Sequence, residues 1–570
     1  MKGRLGLILI VILSVTTLVS GVAADARLSI AAMNGDAAML RSLLKQAVDV
    51  DGAQGDGTTA LHWATFRDDL EMTRVLLVAR ANVHAKTRIG ELTPLFMAAK
   101  NGNAPIIEAL LNAGADARSA STTGSTALML AAASGSPDAV RVLLQYGADP
   151  NARDANQGQT ALMFAAALNR AEAVRILVAR GAMVNALSAV PTPYRAGARP
   201  PGENNPPNPP NPVPPPAQAA PQAQQPLAAQ ARPPNAQAAR RGGRGGGNLA
   251  LGGMTSLQFA AREGHAETVR ALIESGADVN IVTASDKMST LTLAILNGQY
   301  DIAKYLLDNG ADPRPASTDG VTALYAAIDS RWAIRSWYPA PSVDNQKVGY
   351  IELMKAILDK GADINARMGG RLWMRIRSSG PDVNGATTFW RAAMSNDLVA
   401  MKFLIERGAV PNIATAGGST PVSVAAGMGH SHQAANFVPE ARLATVRYLV
   451  EEFGADVNGR DSGGYTPLHG AALVGNRELI LYLIAHGGDV KARASTVQAR
   501  SEDDNDQAVG AERGDTVADM ANGPREIALV WPEIVEMLEK LGSENSHNCR
   551  ASTCIQKPRT EAVRPGGQQQ

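Results

Sequence analysis

The sequence predicts an all-α fold, a solenoid of paired helices, on three observations. A hydroxyl residue followed by an apolar block returns about every 33 residues. Within each block the apolar positions follow helical spacing. Glycines mark both the turn between helices and the end of the second helix. A period this regular belongs to an array in which each unit buries its apolar face only against its neighbours.

The anchors are Thr59, Thr93, Thr126, Thr160, Thr255, Ser289, Thr322, Thr387, Thr420, Thr466 and Thr516, at steps of 34, 33, 34, 95, 34, 33, 65, 33, 46 and 50. The fourth repeat shows the unit most cleanly. Thr126 is placed to cap a short helix through its hydroxyl, and Leu128, Ala131 and Ala132 share one face of it. Gly135 permits a turn, Val140, Leu143 and Leu144 give the second helix its buried side, and Gly147 supplies the left-handed residue that ends it. Asp149 to Gln157 then returns the chain to the next unit as a hairpin-like finger.

These residues resemble the ankyrin-repeat family, whose unit reads G-x-T-P-L-H-x-A-A and, later, L-L-x-x-G-A-D-x-N. The match is closest at Gly464-Tyr465-Thr466-Pro467-Leu468-His469, with Gly454-Ala455-Asp456-Val457-Asn458 before it. Departures are local. The motif histidine survives only at His62 and His469, Arg80-Ala81-Asn82 stands where Gly-Ala-Asp is expected, and Gly408-Ala409-Val410 lacks the Asp. The resemblance covers about 460 residues in about twelve units. It implies an all-helical stack that binds another protein through its fingers and inner helices. That implicates Asp116, Asp149, Asn151, Asp278, Asn280, Asp363, Asn365, Asp456 and Asn458, for which capping and hairpin hydrogen bonds are the competing role.

The ends suggest export. Lys2 and Arg4 precede an apolar run from Leu5 to Val19, and Val22-Ala23-Ala24 offers the small residues a signal peptidase reads. The run falls short of the ~20 residues that span a bilayer, so cleavage near Ala24 and a bacterial periplasmic or extracellular location are expected. The layout follows: a signal peptide at 1–24, repeats one to five at 25–190, a disordered Pro/Gly-rich insertion at 191–248, repeats six to twelve at 249–542, and a disordered tail at 543–570. Repeats one to five are expected to stack on the later ones through the insertion. Cys549 and Cys554 are the chain's two cysteines, and their C-x4-C spacing is no zinc signature. A disulfide and an unpaired tail both remain open for them.

Four shorter insertions break the later period, at 331–350, 367–383, 429–441 and 491–513. The first and third fall between two helices; the second and fourth extend fingers. Trp332, Trp337 and Tyr338 in the first, with Arg371, Trp373 and Arg375 in the second, are the candidate partner-binding residues, because Trp, Tyr and Arg dominate interface energetics. Rings folded back to plug the gap each insertion opens are the competing reading. A turn between helices and a finger also lie at opposite ends of the first helix, which argues against a single patch. His430 and His432 read as solvated loop, and the acidic run Glu502 to Asp506 lacks the pattern of a calcium loop.

Nothing points to chemistry. The chain has no H-E-x-x-H, no phosphate-binding G-x-x-x-x-G-K and no G-x-S-x-G. With 54 basic and 53 acidic residues, its net charge of +1 draws it to neither nucleic acid nor an anionic membrane. The expectation is a non-catalytic scaffold with a protein partner, no cofactor, no metal, no nucleic acid and no span after signal removal. The alternative is an accessory subunit tethering an exported enzyme or redox complex.

Overall fold

The computed structural model describes residues 25–190, 252–333, 343–370, 383–428, 438, 441–495, 514–523, 529–547 and 553–555. These residues form 24 α-helices in twelve consecutive pairs, and among them the only β pairing is three isolated bridges. The pairs are α1 (Arg27–Asn34) with α2 (Ala37–Lys45), α3 (Ala60–Phe66) with α4 (Leu70–Val78), α5 (Pro94–Asn101) with α6 (Ala104–Asn112), and α7 (Ala127–Ser134) with α8 (Pro137–Gln145). Next come α9 (Ala161–Ala167) with α10 (Ala171–Ala179), α11 (Ser256–Glu263) with α12 (Ala266–Glu274), α13 (Thr290–Leu296) with α14 (Tyr300–Asp308), and α15 (Ala323–Arg331) with α16 (Tyr350–Asp359). The last four are α17 (Thr388–Met394) with α18 (Leu398–Glu406), α19 (Pro421–Ala426) with α20 (Arg442–Phe453), α21 (Pro467–Leu473) with α22 (Arg477–Ala485), and α23 (Val517–Ala521) with α24 (Pro532–Lys540).

The anchors cap the first helices as their residue type predicts. Thr126 Oγ1 accepts from the Met129 N–H at 3.3 Å, and Thr387 Oγ1 from that of Trp390 at 3.1 Å. Two places after each anchor stands the core residue of the first helix: Leu61, Leu95, Leu128, Leu162, Leu257, Leu291, Leu324, Phe389, Val422, Leu468 and Ala518 are all buried, as is Leu28 at the same place in the first repeat. Burial of each but the alanine contributes roughly 1.5–3 kcal/mol. Alanines at the fifth and sixth places (Ala64, Ala98 and Ala99, Ala131 and Ala132) let neighbouring first helices approach closely.

The chain divides into two compact units. Residues 1–186 and 265–277 form one, in which α1, α3, α5, α7 and α9 pack in series, each on the next. There α12 packs on α10, and His265 Nε2 donates to the Ala167 carbonyl at 3.0 Å. Residues 187–264 and 278–570 form the other. In it α11 packs on α13 and α13 on α15, and the series continues through α17, α19, α21 and α23.

Eleven fingers close with the same backbone bond. In each, an N–H donates to the carbonyl of the residue just before the next anchor, at 2.8–3.1 Å. Gln54 to Thr58, Ser121 to Ser125 and Asp461 to Tyr465 are examples with four-residue steps. The same bond joins Ser188 to Met254, Met368 to Ala386 and Ala494 to Asp515, across three of the insertions. Those insertions therefore leave and re-enter at fingertips. The insertion around 331–350 lies at the other end of the first helix, between α15 and α16, as its spacing predicts. Its latter part is not loose: Val343–Asn345 forms a 3-10 turn, and the Val348 N–H donates to Asp301 Oδ1 at 2.8 Å.

The tail departs from expectation. Residues 543–547 and 553–555 are held on the last repeat: Gly542-Ser543-Glu544-Asn545-Ser546 occupies the place that Gly-Ala-Asp-x-Asn takes in other units, and Asn522 bonds both the N–H and the carbonyl of Ile555. The Ser543 N–H donates to the Leu538 carbonyl at 2.9 Å, and Ser546 N–H to Asp519 Oδ1 at 2.7 Å. Cys554 is disulfide-bonded.

Candidate protein-binding face

Four places after each anchor the first helix carries a residue that its own geometry turns from the core. Two residues advance an α-helix by about 200°, so the fourth place faces away from the buried second one. In the first unit this series is Ile30, Trp63, Met97, Leu130 and Phe164, every member large, apolar and at least partly exposed. Phe66, Leu168 and Ile89, at 46%, 46% and 83% exposure, add to the same apolar character. In the second unit the equivalent series is Phe259, Leu293, Ala326, Arg391, Val424, Gly470 and Met520, and every member is buried. The contrast is decisive, because a monomer rarely leaves a contiguous apolar surface uncovered without a use for it.

A cavity of about 360 Å³ opens within this series. Trp63, Phe66, Ile89, Leu92, Met97 and Leu130 line it, with Asp56 and Lys100 among its polar groups. The Trp63 and Phe66 rings meet edge to face at 5.8 Å. The Trp63 indole N–H is buried and has no acceptor among the described residues. An unmet buried donor costs roughly 1–3 kcal/mol.

Trp332 is the one predicted site residue among those described, and it is half-buried and internally committed. Its Nε1 donates to Asp397 Oδ2 at 2.8 Å, and the Tyr350 hydroxyl donates to the same oxygen at 2.9 Å. Asp397 Oδ1 meanwhile caps α18 through the Ala400 N–H. The Arg331 guanidinium lies 5.2 Å from the Trp332 ring and 5.7 Å from that of Tyr350. Next to this cluster, Arg391 and Asp329 form a buried ion pair at 2.6 Å, and Arg391 also donates to the Trp332 carbonyl. Burial and Asp397 raise the Tyr350 hydroxyl above its ordinary range. Trp332 thus plugs and pins repeats eight and nine. Trp337, Tyr338, Arg371, Trp373 and Arg375 lie outside the described residues, as do His430, His432 and Glu502 to Asp506.

Trp390, three residues after the anchor Thr387, does the work of a motif histidine. His62 Nε2 donates to the Leu92 carbonyl at 2.9 Å, and His469 Nε2 to that of Asp515 at 3.3 Å. Trp390 Nε1 reaches the matching carbonyl, Ser419, at 3.0 Å. Burial lowers the affinity of both histidines for a proton, His469 to a pKa of about 4.

The finger carboxylates and amides are also spent internally. Asp149, Asp278, Asp363 and Asp456 each accept the N–H two residues on. Asp116 does so from Arg118. Asn151, Asn280, Asn365 and Asn458 each reach the following unit, donating to its glycine carbonyl and accepting an N–H two residues further on. Val410 costs that link nothing, because its backbone N–H and not its side chain is what Asn365 takes. At the irregular second repeat, Arg80 adopts a left-handed φ of 62° in place of glycine. Among the described residues no three His, Cys, Asp or Glu side chains gather as a metal site.

Comparison with known proteins agrees with this geometry. A family profile for ankyrin repeats in three copies matches residues 68–154, 95–188, 257–368 and 390–494, more than half of the chain, and a second ankyrin-repeat profile matches residues 28–77. The ankyrin repeat and KH domain-containing protein mask-1 of Caenorhabditis elegans is 39% identical over 70 residues, 12% of this chain and 3% of that protein. Alpha-latrocrustotoxin-Lt1a of Latrodectus tredecimguttatus is 27% identical over 215 residues, 36% of this chain and 13% of the toxin. Human ankyrin repeat domain-containing protein 49 is 51% identical over 51 residues, 9% of this chain and 21% of that protein. The chain therefore spans about a fifth or less of the length of these curated relatives. Twelve helix pairs, fingers closed by one repeated bond and profile matches across both units make this chain a member of the ankyrin-repeat family, whose repeats serve as protein–protein interaction scaffolds.

Proposed function

We propose that this chain is an exported scaffold that holds a partner protein on the inner-helix face of its first unit. One observation carries the reading: the series Ile30, Trp63, Met97, Leu130 and Phe164 is apolar and open, while its counterpart in the second unit is buried. The occupant is an apolar segment of a protein, since aromatic residues in partly formed pockets are the commonest interface anchors. Binding is the whole activity, and the chain's own contribution is a preformed surface that loses little entropy on docking.

The test compares Leu130→Glu and Phe164→Glu with Val78→Glu, a control on outer helix α4 at 85% exposure. Full-length protein is used to recover partners from its native compartment, and the affinity of the recovered partner is then measured. The two series variants should weaken that affinity at least tenfold, about 1.4 kcal/mol, with the control and the melting temperature unchanged. Equal affinity for all three variants refutes the reading.

Export rests on Lys2, Arg4, the apolar run from Leu5 to Val19 and the small residues up to Ala24. A disulfide-bonded Cys554 suits an oxidising compartment. Mass spectrometry of the protein from fractionated cells decides it: a mature chain beginning at Asp25 outside the cytoplasm supports export, and an intact Met1 in the cytoplasm refutes it.

A further inference from the structure

We propose that the seam between repeats two and three is a hinge whose angle sets the width of the apolar cavity beside Trp63. Its role in binding rests on that cavity being the partner's seat. The other seams among repeats one to five are tied at one place, early in the finger. Between repeats one and two, Asp51 Oδ1 accepts the Asn82 N–H at 2.7 Å. Between three and four, Arg118 Nε donates to the Gly147 carbonyl at 2.8 Å. Between four and five, Asn151 donates to the Gly181 carbonyl at 2.9 Å and accepts the Met183 N–H at 2.8 Å.

His84 holds the matching place after repeat two, and its ring has no hydrogen bond among the described residues. The Gly114 carbonyl and the Asp116 N–H, which such a tie would reach, have none among them either. A cavity of about 300 Å³ opens there instead, lined by His84, Thr93, Ala115, Asp116 and Ser119. The seam is held along its other edge. Asn101 Nδ2 donates to the Phe66 carbonyl at 2.8 Å at one end of the inner helices, and the Thr122 N–H to the Gly90 carbonyl at 3.2 Å at the other. With α3 and α5 packed between those bonds, the free edge is that of α4 and α6. Contacts between neighbours are what couple one repeat to the next, so a seam fixed along one edge turns about it. The cavity beside Trp63 straddles this seam, with Trp63 and Phe66 on α3 and Met97 and Lys100 on α5. Rocking α4 away from α6 draws those walls together, and the reverse parts them. An occupant touching both walls fixes the angle by as much as its affinity differs between the two positions.

Fluorine NMR of the full chain labelled with 5-fluorotryptophan tests this, with the Trp63 signal identified by its loss in Trp63→Phe. That signal should show relaxation dispersion from exchange on the microsecond-to-millisecond scale. His84→Asn, which supplies the missing tie, should abolish it, and the signal of buried Trp390 in the second unit should show none in either protein. Hydrogen exchange read by mass spectrometry should slow at least tenfold across residues 70–83 and 113–117 in His84→Asn, with α9 unchanged. A Trp63 signal without dispersion overturns the hinge, as does dispersion that survives His84→Asn. Slowing confined to the Asp116 amide does so too, because the new bond would then be a local one. Every readout uses the free chain: should Leu130→Glu leave partner affinity intact, the seat is lost and the hinge still stands.

Discussion

At His469 a buried ring is held neutral by what surrounds it. Its Nδ1 accepts from the Thr466 N–H at 3.1 Å, and a backbone N–H can only donate, so the proton sits on Nε2 facing the Asp515 carbonyl. The folded pKa of about 4 lies below the unfolded value of 6.5, so the native state holds fewer protons between the two. The contribution to stability is complete above about pH 6.5 and is lost as pH falls toward 4, on the order of 3 kcal/mol. Another repeat supplies the control. Gln258 accepts from the Thr255 N–H at 2.8 Å and donates to the Ile281 carbonyl at 2.9 Å, a comparable pair of bonds without a titrating group, made to an earlier carbonyl of its finger. His469→Gln should therefore fold and lose most of the pH dependence of urea unfolding in that window; an unaltered profile would assign the dependence to other groups. The motif reading places the histidine position, where other repeats carry Met, Gln, Tyr, Trp or Ser; the contact of Trp390 with the Ser419 carbonyl there is a matter of geometry that the motif does not carry.

Single asparagines decide how firmly one helix pair holds the next. Asn458 joins the turn after α20 to that after α22 with two hydrogen bonds at 2.8 and 2.9 Å. Asn458→Ala should cost about 1–2 kcal/mol in chemical unfolding of the second unit, whereas Asn458→Asp keeps the acceptor and should cost less. Equal costs would mean that only the donor matters. The helices themselves were legible in advance, since Thr caps, leucines two places on and glycine ends fix each pair locally. The open series in the first unit was not. Ile30, Trp63, Met97, Leu130 and Phe164 read as ordinary core on hydrophobicity, though a two-residue offset from the buried leucines already pointed them away from it. What no sequence pattern carried is that the second unit buries its own counterparts. The same holds for Trp332: its indole is satisfied by Asp397, 65 residues further along.

For the molecule as a whole, two kinds of surface emerge from one repeated plan. The first unit keeps an apolar inner face open within uninterrupted repeats, and the second bears the shorter insertions. Among the described residues no helix is long and apolar enough to cross a membrane. The fingers add a consequence for engineering. Ser121 meets Ser125 at 2.9 Å and Ser188 meets Met254 at 2.9 Å, although four residues separate one couple and 66 the other. Closure cost grows only slowly with length, about 0.6 kcal/mol per doubling. A foreign peptide of some twenty residues spliced between Thr122 and Thr123 should then lower stability by no more than about 2 kcal/mol in urea unfolding. A larger loss would show that short fingertips guard their neighbours as well as turn the chain. If the splice is tolerated, each of the short fingers is a socket into which natural or artificial recognition loops can be fitted without redrawing the helices that carry them.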